Sequence, residues 1–383
     1  MKKNFKTRKN SIIKCKKTTA DIELPLRHNI TQIAEKAFMG DQVIRNVTVP
    51  GNIRIINYGA FESAGELEKV SFSSAGMVIL KERAFMRCSN LSHIENMSVI
   101  ISCGYGAFMH CKELLDCEIN PYLVEFGKSC FEGCSKITEV TLPLLHTEVP
   151  TRAFYGCESL KTVNMCSSLE AIGSKAFLGC TSIEALNFVD GLKKIGESAF
   201  EDCFSVSQIT FGSEIKRIER NAFKNCRCLT TVEFCPISKK RVWIGKGAFS
   251  GCVELRNIVI PNGKWNISPA ALKNCKLNSE DPLTIICNDR DTATGIRRSL
   301  RSLIKKGMVE IVLNEIAEES PENAVEEIYS EPSETDVIER EEKDAEPKSK
   351  KRKEKKNENG SEDIPENIEE KSMAEIFETA DDQ

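Results

Sequence analysis

The chain has 383 residues, of which 40% are apolar and 29% charged, with a formal net charge of −4. That balance argues against a whole-protein affinity for nucleic acid or an anionic membrane, and no stretch reaches the roughly 18 uninterrupted apolar residues of a membrane-spanning helix. Length alone would allow two or three ordinary domains, but a short internal period overrides that reading. In chain order, residues 2–17 come first, with eight Lys or Arg and no acid. Segment 1–19 therefore reads as a basic, disordered leader. It lacks the apolar run of about 7–15 residues that a secretory signal needs, so the chain reads as cytoplasmic. Seventeen cysteines spread through such a chain are expected to be reduced thiols rather than a disulfide framework.

"ADIELP" at 20–25 looks like half of a strand unit, and from there to 282 the chain repeats. Aligned on one aromatic slot, the series runs Phe38, Phe61, Phe85, Phe108, Phe131, Phe154, Phe177, Phe200, Phe223, Phe249 and Leu272, with steps of 23 except for one of 24 and one of 26. These are about eleven 23-residue units. In one of them Phe154 is followed by Cys157, Leu160, Val163, Met165, Leu169 and Ile172. The Val-x-Met spacing has period two and predicts a short strand, with Val163 and Met165 facing inward and Thr162 and Asn164 outward. The wider spacings return one apolar residue per turn of a coil to an interior that only stacked neighbours can enclose. Cys recurs three residues after the aromatic slot at 88, 111, 134, 157, 180, 203, 226, 252 and 275, where it suits a buried position as a small hydrophobe. Asn96 interrupts the pattern, standing where a strand apolar residue belongs.

Residues 283–314 leave the repeat and predict a cap: strand 283–287, a helix over about 293–306 capped by Thr292 or Thr294, and strand 309–313. The helix has an apolar stripe of Ile296, Leu300, Leu303 and Ile304. Segment 315–383, with 25 acidic and 10 basic residues, reads as a disordered charged tail. Within it, "KSKKRKEKK" at 348–356 reads as a solvated charge run, the alternative being a nuclear targeting signal or a docking patch for an acidic surface.

No catalytic, cofactor or metal constellation emerges. Four scattered histidines, a glycine-poor "EFGKSC" and a Cys226/Cys228 pair too close for zinc spacing leave the chain without the parts of an enzyme. His110 beside Cys111 would be a nucleophile only if Cys111 left the buried ladder.

The pattern "AF..C..L..V.L" followed by "L..IG..AF", and "AFLGCTSIEALNFVDGLKKIGESAF" at 176–200 in particular, resembles the BspA-type leucine-rich repeat family. The resemblance implies a strand-rich α/β repeat fold, a right-handed solenoid with a parallel sheet on one face, and a role in binding other proteins. Many members are exported surface adhesins, so it also implies a surface location as the alternative to the cytoplasm. The candidate binding surface is the outward side of the strands: Thr48, Lys69, Ser71, Glu95, Asp116, Glu118, Glu139, Thr141, Thr162, Asn164, Asn187, Gln208, Thr210, Thr231 and Glu233, with His93 and Asn257 beside them. Five acids against one lysine and one histidine disfavour a phosphate backbone there. The expected partner is a protein, bound by a monomeric, non-catalytic scaffold without cofactor. A surface adhesin or an adaptor for a separate enzyme is the alternative.

Overall fold

A computed structural model of the protein describes residues 5–15, 19–115, 117–236 and 241–314. The tail 315–383 and its basic run lie outside the described residues. The rest is a coil of parallel strands around one continuous apolar core. Most turns contribute a strand of three or four residues on one face, such as Glu139–Thr141, Thr162–Asn164 and Gln208–Phe211. Val163 and Met165 pack against the core while Thr162 and Asn164 face solvent, as the period-two spacing requires.

A second array of parallel strands, absent from the one-sided expectation, runs along the return side in two sheets. Two-residue strands such as Glu148–Val149, Ala171–Ile172, Lys194–Ile195 and Arg217–Ile218 pair in register there. Glycines follow two of these strands because the turns approach closely: a Cβ on Gly173 would lie 2.6 Å from the Val149 carbonyl oxygen.

The Ala-Phe corner supplies a third ladder. The Phe154 N–H donates to the Ala176 carbonyl, and the Phe177 N–H to the Ala199 carbonyl, both at 2.8 Å. The rings form one column from Phe38 to Phe249, with centroids 4.9–5.6 Å apart and planes within 11° of parallel. Residues two before and two after each Phe sit at positive φ: Arg152 and Gly156 around Phe154, Lys175 and Gly179 around Phe177, Ser198 and Asp202 around Phe200. This left-handed corner is disfavoured for side chains other than glycine, yet Arg, Lys and Ser adopt it because the flanking ladders hold the chain.

The cysteine slot does more than fill volume. In all nine positions the thiol donates to the carbonyl of the preceding turn's Phe at 3.0–3.4 Å. Phe131 O, for example, accepts the Cys134 N–H at 3.2 Å and the Cys157 S–H at 3.2 Å. An apolar residue of the same size would bury one donor fewer beside that carbonyl. No disulfide joins cysteines among the described residues, and fourteen of the seventeen are buried. A thiol reagent in excess is therefore expected to modify exposed Cys228 at once, half-exposed Cys117 and Cys235 more slowly, and Cys157 and Cys180 only after denaturation. Mass spectrometry of the native, labelled protein checks this, and native labelling of Cys157 or Cys180 would contradict the register.

Both ends depart from expectation in part, although the two strands of the C-terminal cap lie where they were expected. Part of the basic leader is ordered: Phe5–Arg8 and Ser11–Cys15 form an antiparallel hairpin whose second strand opens the first return sheet beside Gln32–Ile33. Ile12 is fully buried and Cys15 nearly so, and these apolar residues outweigh the surrounding charge. Asp21–Glu23 joins the strand face beside Asn46–Val49, consistent with a half unit. At the other end, Leu283–Cys287 and Val309–Leu313 extend the strand-face sheet in parallel. The single helix expected over 293–306 is instead two, Arg290–Ser299 and Arg301–Lys305. Its cap is Asp289, which accepts the Thr292 N–H at 2.8 Å, and not either threonine. Thr292 is buried, with its hydroxyl bonded to both the N–H and the carbonyl of Gly263.

Candidate functional site

The outward strand positions fall into three registered blocks rather than one continuous row. In the first, Thr48 pairs with Ser71 and Ser71 with Glu95, while Lys69 lies beside His93. In the second, Glu139 lies beside Thr162 and Thr141 beside Asn164. In the third, Asn187, Thr210 and Glu233 form one row, with Gln208 and Thr231 in a parallel one and Asn257 beyond Thr231. Thr48, Glu95, Glu139, Thr141, Thr162, Asn164, Asn187 and Gln208 are exposed, while Lys69, Ser71, Thr210, Thr231 and Glu233 are half-buried between their neighbours. Asp116 lies outside the described residues.

Hydrogen bonds tie several of these side chains along the ladder. Lys69 Nζ lies 2.5 Å from Glu95 Oε1. Lys69, then Ser71, hold the Glu95 carboxyl below the usual carboxylate range by hydrogen bonding. Asn164 Nδ2 donates to Glu139 Oε1 at 2.8 Å and to Thr141 Oγ1 at 3.2 Å.

Between the first and second blocks the strand ladder stops. Asn96 adopts a left-handed conformation (φ 55°), and its Nδ2 donates to the Phe72 carbonyl at 2.6 Å. A 3-10 turn, Met97–Val99, follows and sends Met97 into the core. One turn on, where Asp116 and Glu118 were expected to occupy a strand, the described residues contain none. Glu118 is exposed and lies outside any strand. The missing strand leaves a depression of about 620 Å³ whose lining includes His93, Glu95, Leu115, Cys117, Glu118 and Glu139. Leu115 is 46% exposed there. Leu115 and Cys117 were not singled out from the sequence, although "ELLDC" places a second leucine where other units have a polar residue. A further apolar group, Tyr122, Val124, Leu144 and Leu145, is exposed at the turns that follow these strands. Its signal was Leu144-Leu145, which the next unit replaces with Ser167-Ser168.

Cys111 donates its S–H to the Phe85 carbonyl, and burial pushes its pKa up to about 12, so it remains a neutral thiol. Among the described residues, no His, Cys, Asp and Glu form a group placed to hold a metal ion, and no helix is long and apolar enough to cross a membrane.

Solved structures resembling this one include a leucine-rich cell surface protein of Faecalibacterium prausnitzii (22% identity, 79% of this chain and 90% of that one, TM-score 0.44). A leucine-rich repeat protein of Bacteroides ovatus is 17% identical over 81% of this chain and 97% of its own, with TM-score 0.44. The pneumococcal vaccine antigen PcpA is 15% identical over 77% and 79%, with TM-score 0.46. No curated protein resembles the chain closely enough to be counted as a relative. The sequence model of the BspA type leucine-rich repeat region matches in six copies, over overlapping stretches 6–138, 66–184 and 147–278. These stretches take in the whole Phe and Cys ladder and most of the chain, which therefore belongs to the BspA type leucine-rich repeat family.

Proposed function

We propose that the protein is a non-catalytic interaction scaffold that binds a partner protein on its strand face, as a monomer and in the cytoplasm. The observation that carries this reading is the depression between the first and second strand blocks. It combines an exposed leucine with the carboxylates of Glu95, Glu118 and Glu139, on a face whose remaining outward side chains are polar and held in register. A rigid backbone lowers the entropic cost of presenting such a surface, and an apolar centre ringed by polar groups is how protein interfaces are built. The carboxylates disfavour nucleic acid on this face.

Reversing the field tests it. Glu118→Lys with Glu139→Lys should change stability by less than about 0.5 kcal/mol, since both side chains are exposed. The double variant should nevertheless lose the partner that the wild-type protein captures from host lysate, with circular dichroism confirming the fold. Identical partner lists would remove the depression as the binding site. Family membership is the observation that favours a surface adhesin instead, and fractionation of host cells distinguishes the two locations.

A further inference from the structure

The C-terminal cap carries a surface of opposite sign. Helices Arg290–Ser299 and Arg301–Lys305 meet at Leu300, whose backbone (φ −106°, ψ 19°) leaves the regular helical geometry. At this junction Thr294, Arg297, Arg298, Arg301, Ile304 and Lys305 line an open groove of about 380 Å³. Spacings of three and four residues put these side chains on one face. Arg297, Arg298, Arg301 and Lys305 are all exposed, and among the described residues none of the four takes part in an ion pair. The carboxylate on the same helix, Asp291, lies in its first turn, before Thr294. Ile304 is half-buried against the core and gives the groove an apolar portion between the cations.

Covering the end of the solenoid does not call for this arrangement. Ile296 and Leu300, both fully buried, and the Thr292 bonds to Gly263 attach the helix to the core from its other side. Like charges three and four residues apart repel one another, so the cluster is unfavourable until something neutralises it. A phosphate backbone would satisfy the cations but has nothing to place on Ile304. A peptide that sets an apolar side chain between carboxylates matches both features, since guanidinium forks take carboxylates bidentately and the apolar residue covers Ile304.

We propose that this groove is a second binding site, one that takes an acidic segment of a partner protein bearing an apolar anchor residue. It stands independently of the strand face. Because the depression there is lined by carboxylates, the two surfaces suit partners of opposite charge, and one chain would bring such partners together.

Fluorescence anisotropy on the full chain tests the assignment with three labelled probes of similar length: a peptide alternating Glu and Leu, a peptide alternating Glu and Ser, and a single-stranded oligothymidine. The Glu–Leu peptide is expected to bind saturably and at least about tenfold more tightly than the Glu–Ser peptide, reflecting the buried apolar anchor. Arg297→Glu with Arg301→Glu should weaken Glu–Leu binding by about tenfold or more, whereas Lys136→Glu, an exposed cation far along the chain, should leave it unchanged. Ile304→Gln, verified as folded by circular dichroism, should bring the Glu–Leu affinity down to that of Glu–Ser. Equal affinity for the two peptides, tighter binding of the oligonucleotide, no saturable binding of any probe, or undiminished binding by the charge-reversed variant would each overturn the proposal.

Discussion

Phe177→Ala is expected to destabilise the protein by about 3–5 kcal/mol, measured as a lower midpoint in chemical denaturation at unchanged strand content. The ring is fully buried and stacked between Phe154 at 5.3 Å and Phe200 at 5.1 Å, with planes within 9° of parallel. The cost of a cavity depends on how far its walls can collapse. Here they cannot, because the Phe154 and Phe177 N–H groups and the Cys180 and Cys203 thiols fix the spacing of the turns above and below. Phe38 provides the comparison: among the described residues it has a ring neighbour on one side only, and it retains 3% exposure, so Phe38→Ala should cost less. A loss below about 1 kcal/mol for Phe177→Ala, or a larger loss for Phe38→Ala, would mean that the column is not what sets the packing.

The second large effect is alkaline. Burial raises the thiol pKa values of Cys88, Cys111, Cys134, Cys157, Cys180 and Cys203, that of Cys111 to about 12. The folded protein thus holds these protons more tightly than the unfolded chain, where thiols titrate near 8.5. The contribution is fully present below about 8.5 and is lost as pH rises from there toward the folded values. Each thiol still protonated in the fold removes about 1.4 kcal/mol of stability per pH unit in that window. A ladder of such thiols should make alkaline unfolding steep. Denaturation curves collected between about pH 8.5 and pH 10 should show it, and the double variant Cys157→Ala, Cys180→Ala should have a slope shallower by about 2.7 kcal/mol per pH unit. Equal slopes would mean that these thiols do not titrate between the two states.

What could be read from the sequence was whatever repeats as side-chain volume. The Phe column, the buried Cys positions and the inward Val-x-Met pairs each obey a spacing that a stacked coil imposes. Much of the return side could not be read, because strands of two residues are too short to display an alternation. The corners stayed hidden too, since Arg152 and Lys175 give no hint of positive φ and only the surrounding hydrogen bonds hold them there. At the N-terminus the count of lysines obscured Ile12 and Cys15, whose burial decides the local structure. The depression was legible as an irregularity at Asn96 and in the second leucine of "ELLDC". Its shape comes from a strand that fails to form one turn later, and a missing hydrogen-bond ladder has no letter of its own.

The left-handed corners bear on how such a chain can change in length. Their geometry belongs to the stack, because Arg, Lys, Ser, Asn and Gly all take the same turn two residues before the ring. A joint that accepts such different residues does not depend on which unit came before it. Excising Phe177 through Ala199 would place Ala176 directly ahead of Phe200 and restore the same dipeptide at the same corner. Segments of one turn are therefore interchangeable parts, and inheritance can lengthen or shorten the coil in whole steps while each new seam closes like the old one.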